Sequence, residues 1–237
     1  MQRYFSNEKK DNYLILNEDD IHHITHVMRM KESDNIQIVY NKKLYLCCIE
    51  NVNEKIRFRI EKELEYYESL APKIRLIIPL LKEQKLDLIL QKSTELGVDE
   101  IVLAPFIRSI IRLDSKKEIS KIERWKKIVK EASEQSMRID MPTIRLISKF
   151  NEIENFDGVG IICSTTEKEN NIKKYVQIHK KCDRINLVIG PEGGIDPKEE
   201  DYLESIGYKK ATLGNQILRV ETVPIYLLSI INYEFME

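Results

Sequence analysis

Two glycine-rich segments near the end of the sequence hold the residues best suited to bind a ligand and act on it. Residues 189–194 (IGPEGG) follow an apolar run, and their glycines would let the backbone approach a flat ligand closely. Residues 213–222 (LGNQILRVET) place Arg219 and Glu221 before an apolar stretch, where they could form an ordinary ion pair or flank a reacting centre. Neither segment matches the dinucleotide fingerprint or the P-loop pattern. An adenosine-sized pocket is therefore favoured over a phosphate cradle, and a plain strand-to-helix turn is the alternative.

An alternation of strands and helices from residue 73 onward would position these segments. Apolar runs predict the strands, and a 3.6-residue period or a clear end signal predicts the helices. The predicted strands are 74–81, 98–104, 158–163, 186–189 and 211–213, and the predicted helices are 85–96, 119–137, one beginning at 196, and 223–235. This order is typical of an α/β fold with a parallel sheet, in which ligands bind beyond the carboxyl ends of the strands.

Local signals support several of these helices. Gly97 follows the first helix, where a left-handed residue is expected, and Asp196, Pro197 and Glu199 have the types that cap and begin a helix. The helix 223–235 is apolar almost all round, so it should be buried in the core or against a second copy. Helix 119–137 carries an apolar stripe that favours core packing over base stacking for its tryptophan: Ile119, Ile122, Trp125, Ile128, Val129 and Ala132.

The first 70 residues are strand-like and separate from this pattern. Alternating residues at 35–40, 44–49 and 55–60 predict short strands of a small barrel, with a short helix at 19–30. Residues 61–72 are charged and end in proline, so they are predicted to link two domains.

Composition limits the functional classes. No window of 18 apolar residues occurs and the first residues contain no apolar signal region, so neither a membrane span nor a signal peptide is expected. The four cysteines form no C-x-x-C pair, which fits free thiols in a reducing cytoplasm. His22 and His26 have the spacing of a metal pair, but no third ligand follows at a helpful spacing, and no metal is expected.

Positive charge gathers in the middle of the chain. The net charge is −1, yet residues 71–150 carry 17 basic and 11 acidic residues. Such a stretch can steer a polyanion, and a solvated helix face is the equally weighted alternative.

Taken together, the motifs resemble those of the RsmE-type rRNA uridine-N3 methyltransferases of the SPOUT superfamily. GPEGG at 190–194 and LGNQILRVET at 213–222 look like that family's donor loops, and QKSTELGV at 91–98 looks like its QK-[AS]-x-ELGV helix. Further matches cover nearly the whole chain in order: Arg3-Tyr4-Phe5, residues 23–30, Arg108-Ser109 and Glu134-Gln135-Ser136-x-Arg138.

This resemblance implies a PUA-like, β-barrel RNA-binding domain at residues 1–70 and a trefoil-knotted α/β methyltransferase domain at 73–237. It implies S-adenosylmethionine as methyl donor, held in the knot, and a homodimer formed through the C-terminal helix. The implied substrate is one uridine of 16S rRNA in the small ribosomal subunit, methylated at N3 in the cytoplasm without metal or membrane.

Within this reaction, the type and position of individual residues suggest their roles. Arg219 would stabilise the uridine anion, while Glu192 and Glu221 are candidate bases, with water as the alternative. The implied donor-binding residues, within loops 164–167, 189–194 and 213–222, are Thr165, Ile189, Gly190, Pro191, Glu192, Gly193, Gly194, Leu213, Gly214, Ile217, Leu218 and Thr222. The implied RNA-binding residues are Arg3, Arg29, Arg108, Gln135 and Arg138.

Departures from the family pattern leave two other functions open. Ile107 stands where the family often has Glu, Met137 where it has Gly, Val223 where it has Ala, and Glu83 where it has Gly. The donor loops are intact, so these departures bear on RNA contacts. A knotted methyltransferase acting on a tRNA ribose 2′-OH and a non-catalytic RNA-binding protein are the alternatives. The PUA-like region and the ELGV segment disfavour the first, and the intact donor loops disfavour the second.

Overall fold

Contacts along the chain divide it into two units. The computed structural model describes residues 2–52, 55–66, 71–111, 118–154, 158–179 and 181–235. The first unit contains residues 1–69 together with 130–141, and the second contains residues 70–129 and 142–237. The first unit is therefore discontinuous in sequence, which the predicted domains 1–70 and 73–237 do not anticipate.

A mixed six-stranded sheet forms the first unit, in the order β1-β4-β5-β6-β3-β2. Only β1 and β4 pair in parallel among these strands. A short helix α1, Glu18–His22, continues into a π-helical turn at His23–Val27, which agrees with the predicted helix at 19–30. The strands are β1 Arg3–Phe5, β2 Glu8–Lys10, β3 Tyr13–Ile15, β4 Asn35–Tyr40, β5 Lys43–Val52 and β6 Lys55–Leu64.

The three predicted strands of this unit are confirmed, and three others were missed. β1, β2 and β3 are only three residues long, too short to show an alternating pattern. The prediction that the linker begins at Glu61 is wrong, because β6 continues to Leu64 and pairs there with Leu44. Residues 67–70 of the predicted linker lie outside the described residues.

Residues 130–141 belong to the first unit and contribute buried side chains to it. Lys130 Nζ lies 2.5 Å from Asp20 Oδ1 and 2.6 Å from Glu134 Oε1. Burial alone would lower the pKa of Lys130, but the hydrogen bonds to these two carboxylates outweigh burial and raise it. Ile139 packs in a buried apolar cluster with Phe5, Val39 and Leu44.

An all-parallel sheet forms the second unit, in the order β12-β10-β11-β7-β8-β9. Its strands are β7 Lys73–Pro79, β8 Glu100–Ala104, β9 Thr143–Leu146, β10 Val159–Cys163, β11 Arg184–Ile189 and β12 Lys209–Ala211. Its helices are α2 Glu83–Glu95, α4 Ile172–Ile178, α5 Pro197–Ser205 and α6 Thr222–Phe235, together with the part of α3, Glu118–Gln135, that precedes residue 130. Central strands such as β7 are buried along almost their whole length because apolar clusters cover both faces of the sheet.

Most predicted elements of this unit are present, and the local signals behave as expected. Gly97 has φ +89°, in the left-handed region, two residues after the end of α2. Asp196 and Glu199 form a reciprocal capping box at the start of α5, with Pro197 in its first turn. Trp125 is buried in the core, as predicted.

Three predictions for this unit need correction. Ile119 is 78% exposed, so it does not belong to the buried stripe of α3. The strand predicted at 211–213 runs from Lys209 to Ala211, which leaves Leu213 in the loop beyond it. β9 and α4 were not predicted. Polar residues at alternate positions of β9 and on the outer face of α4 interrupt the apolar pattern in both elements.

Within the described residues, no helix has the length and apolar character that crossing a bilayer requires. The trefoil knot stays a prediction.

Candidate active site

Three loops meet because the strands before them are neighbours. β12, β10 and β11 are adjacent and parallel, so their carboxyl ends lie at one edge of the sheet. The loops 164–167, 190–194 and 212–222 begin at those ends. The sequence segments predicted to bind the donor are thus brought to one place by the strand order.

The loop 190–194 is held in a tight turn that favours glycine at two positions. The Gly194 N–H donates to the Pro191 carbonyl oxygen at 2.8 Å, and Gly194 has φ +75°. A Cβ at Gly190 would lie 2.5 Å from Ile195 Cγ1, well inside van der Waals contact. A side chain at Gly190 would therefore force Ile195 to shift, and one at Gly194 would strain the backbone.

Arg108, in the region after β8, stabilises this loop through a hydrogen bond and an ion pair. Its Nη1 donates to the Gly193 carbonyl oxygen at 3.0 Å, and its Nη2 lies 3.3 Å from Asp196 Oδ2. The sequence assigned Arg108 to RNA binding, whereas these contacts show that it also supports the candidate donor loop.

Lys85, in the first turn of α2, connects the two acidic candidates. Its Nζ lies 2.8 Å from Glu192 Oε1 and 3.4 Å from Glu221 Oε2, the second being an ion pair without hydrogen-bond geometry. The hydrogen bond from Lys85 lowers the pKa of Glu192, and the reciprocal contact raises the pKa of Lys85. Sequence reasoning missed Lys85, because nothing in its local pattern links it to residues more than 100 positions away.

The segment 213–222 is open to solvent around its glycine and its arginine. Gly214 has φ +120° and no atom within 4 Å of the position a Cβ would take. The Arg219 side chain is exposed and makes no hydrogen bond or ion pair to any described residue, while its carbonyl oxygen accepts from the Thr222 N–H at 2.9 Å. Ile217 is exposed as well, so both side chains are free to contact a ligand.

The first loop, after β10, is ordered by its own side chains. The Glu167 carboxylate accepts from the backbone N–H groups of Lys168, Glu169 and Asn170 at 2.8 to 3.1 Å. These backbone hydrogen bonds lower the pKa of Glu167. Thr165 is exposed, and its carbonyl oxygen accepts from Lys168 Nζ at 3.0 Å.

The RNA-binding candidates of the first unit differ in exposure. Arg3 is only 5% exposed, and its guanidinium donates to Gln37 Oε1 and to the Met137 carbonyl oxygen. Arg138 pairs with Asp140 at 2.9 Å. Arg29 and Gln135 are exposed, without a side-chain partner among the described residues. Arg29 and Gln135 are thus placed to meet a ligand, whereas Arg3 stabilises the unit itself.

The paired histidines show no metal geometry. The His22 and His26 rings stack with centroids 4.5 Å apart, and His26 Nδ1 lies 2.7 Å from Thr25 Oγ1. Across the described parts of the chain, no group of three or more histidine, cysteine or acidic side chains is placed to hold a metal ion.

Comparisons with known proteins agree with this architecture. Residues 68–232 match the RNA methyltransferase domain family, and residues 16–63 match the RNA methyltransferase PUA domain family. A ribosomal RNA small subunit methyltransferase E from Bacillus subtilis is 33% identical, with 99% of this chain and 97% of the relative aligned. Its counterpart from Mesomycoplasma hyopneumoniae is 31% identical over 97% of this chain and 98% of the relative.

A solved structure extends the comparison to the methyl donor. A Legionella pneumophila methyltransferase in complex with the cofactor SAM superposes with a TM-score of 0.87 and is 25% identical. The superposition covers 98% of this chain and 97% of the Legionella chain.

Proposed function

This chain belongs to the ribosomal RNA small subunit methyltransferase E family, and we propose that it methylates N3 of one uridine in 16S rRNA with S-adenosylmethionine as donor. The observation that carries the proposal is the meeting of three loops at the edge of β12, β10 and β11, with Lys85 joining the acidic residues of two of them. A fold alone does not specify a reaction, but this combination of loops and charges suits methyl transfer.

The glycines of these loops leave backbone exposed for a ligand to approach. The turn at 190–194 presents backbone with no side chain at Gly190, Gly193 or Gly194, and the space beside Gly214 is empty. When bound, S-adenosylmethionine supplies an activated methyl group on a sulfonium leaving group, so the protein need not provide a metal. The residues predicted to contact it lie on these loops, from Thr165 to Thr222.

The protein must make uridine N3 a nucleophile, and two side chains are suited to help. N3 carries a proton that has to leave as the methyl group arrives. Arg219, free of any partner among the described residues, would stabilise the negative charge that develops on the base. The proton would pass to a carboxylate or to water.

Glu221 is a better candidate base than Glu192. Lys85 hydrogen-bonds Glu192 and lowers the pKa of Glu192, which weakens it as a proton acceptor. Glu221 Oε2 accepts no hydrogen bond of good geometry, although Lys85 Nζ lies 3.4 Å away as an ion-pair partner. The exposed Arg29, Arg108 and Gln135 would contact the RNA, mostly through phosphates.

The proposal includes a homodimer in the cytoplasm. Val223, Leu227 and Ile231 of α6 face the core, but Tyr226 and Tyr233 of the same helix are 40% and 76% exposed. A second copy would cover these aromatic side chains. Sedimentation velocity on the 28.0 kDa chain would distinguish monomer from dimer.

Mapping the methylated nucleotide in cells tests the reaction. We expect 16S rRNA from a strain lacking this gene to lose one N3-methyluridine, wild-type protein to restore it, and Arg219→Ala to fail. Arg219→Lys keeps a cation and serves as the matched control, and circular dichroism would show that each variant folds. A lost 2′-O-methyl group in tRNA would favour the ribose alternative. Absence of S-adenosylmethionine binding by calorimetry would favour a non-catalytic RNA-binding protein.

A further inference from the structure

A buried carboxylate, Glu200, touches the elements around all three candidate donor loops. It lies on α5, the helix that follows the loop 190–194, and is 9% exposed. Its Oε1 accepts from Ser164 Oγ at 2.8 Å, directly after β10, and its Oε2 lies 3.0 Å from Lys210 Nζ on β12. Glu200 therefore links the start of the first loop to the strand that leads into the third.

The hydrogen bonds of Ser164 fix the direction of a short relay. A serine hydroxyl has one proton and two lone pairs. Because Glu200 as a carboxylate can only accept, the Ser164 proton points toward Glu200. The two lone pairs of Ser164 Oγ then accept from the Thr166 N–H at 3.3 Å and from the Thr166 hydroxyl at 2.8 Å.

This direction determines what Thr166 can offer. Its hydroxyl proton is used on Ser164, so Thr166 Oγ1 is left with lone pairs only. Thr166 is exposed on the loop 164–167, at the carboxyl edge of the sheet. A partner for this atom must be an N–H or O–H donor.

We propose that Glu200, through Ser164, holds the Thr166 hydroxyl as an obligate hydrogen-bond acceptor for an N–H or O–H group of the methyl donor. This inference rests on the proposed function, since the donor site is part of it. Glu200 and Ser164 are positioning residues, and Thr166 makes the contact. Lys210 fixes which oxygen of Glu200 faces Ser164, and the hydrogen bonds to Glu200 and Glu204 raise the pKa of Lys210.

Substitution at Thr166 tests the contact without disturbing the core. Thr166→Val has nearly the same shape but no acceptor, and loss of one hydrogen bond should weaken S-adenosylmethionine binding about tenfold by calorimetry. Thr166→Ser keeps the hydroxyl and should bind as wild type does. KM for the donor should rise in Thr166→Val while kcat at saturating donor stays unchanged, because the contact is made before and during the reaction alike.

Substitution at Glu200 tests the relay. In Glu200→Gln, Lys210 attracts the amide oxygen, so the amide NH2 faces Ser164 and reverses the relay. Thr166 then becomes a donor, and we expect about tenfold weaker donor binding, again with unchanged kcat. Glu204→Gln is the matched control, because Glu204 lies one turn away and pairs with Lys210 at 3.1 Å but does not touch Ser164. It should bind the donor as wild type does.

The outcomes separate the two proposals. Wild-type affinity in Thr166→Val would overturn the relay while leaving methyl transfer intact, and it remains decisive even if Glu200→Gln fails to fold. Equal weakening in Glu204→Gln and Glu200→Gln would also overturn it, since the effect would then not depend on Ser164. If the wild-type protein itself bound no S-adenosylmethionine, the proposed function would fail first.

Discussion

Met137 shows how one residue departs from its family's pattern at a measurable cost. It has φ +60°, in the left-handed region, two residues after the end of α3, and the family that the sequence resembles has glycine at this position. A side chain in that conformation costs about 1 kcal/mol. The free energy of unfolding, measured by urea titration, should therefore be about 1 kcal/mol higher for Met137→Gly than for Met137→Ala. Equal stability of the two variants would contradict the assignment of strain to this position.

Removal of Lys85 should slow methyl transfer. Lys85→Met leaves Glu192 and Glu221 without their shared cation, and we expect a loss of about 100-fold in single-turnover methyl transfer. Lys126→Met, which removes an exposed pair with Glu123 on α3, is the matched control and should keep wild-type turnover. Unchanged turnover in Lys85→Met would remove Lys85 from the site.

The same variant has a defined pH signature. The contact with Lys85 lowers the pKa of Glu192 in the folded state. The stabilisation that this contact gives the folded protein is therefore fully present above the pKa of Glu192 in the unfolded chain, about 4.3, and is lost as the pH falls through its pKa in the folded state. The stability difference between wild type and Lys85→Met should therefore shrink in acid. Glu192 is largely solvated, so the difference is small even at neutral pH.

Single residues mark where sequence reasoning succeeds and where it stops. Gly97 and Asp196 act on their neighbours in the chain, so their roles follow from local types and spacing. Lys85 acts on partners brought near by strand order, which no local pattern contains. The buried state of Arg3 likewise depends on its contact with residue 137, far along the chain, whereas its assignment to RNA binding came with the family motif Arg3-Tyr4-Phe5.

Helix α5 follows the loop 190–194, and its N-terminal cap should contribute to the stability of the fold. The Asp196 side chain accepts from the Lys198 N–H at 3.1 Å and completes the capping box with Glu199. Asp196→Ala should lower the free energy of unfolding by about 1 kcal/mol in urea titration. Asp201→Ala, at an exposed position of the same helix, should change it much less. Equal effects would mean that the cap contributes nothing specific.

Elements also show which parts of the fold the sequence could reveal. Long buried strands such as β7 and the amphipathic α3 carry strong periodic signals and were predicted. The predicted position of β12, 211–213, lay too far toward the following loop, because Lys209 and Lys210 are polar residues on an edge strand and interrupt the apolar pattern. Loops 164–167 and 213–222 were assigned by resemblance, and the parallel order of β12, β10 and β11 explains why they converge.

At the scale of the molecule, the discontinuous first unit makes a prediction about fragments. A fragment of residues 1–69 would lack Lys130, leaving the buried Asp20 without its cation, and would expose Phe5, Val39 and Leu44 where Ile139 packs. We expect this fragment to lack a cooperative thermal transition, since an uncompensated buried charge alone costs roughly 3 kcal/mol or more. A cooperative transition in the isolated fragment, followed by circular dichroism, would contradict this expectation.

The split first unit also dictates an order of events during protein synthesis. A domain whose residues were contiguous could complete its core soon after leaving the translating ribosome's exit tunnel. Here residue 141 must emerge before Lys130 and Ile139 can pack against the N-terminal sheet. Folding of the first unit is therefore delayed until residues 70–141 have been synthesised. At elongation rates of roughly 5–20 residues per second the wait lasts several seconds, during which the unfinished hydrophobic cluster is open to chaperones.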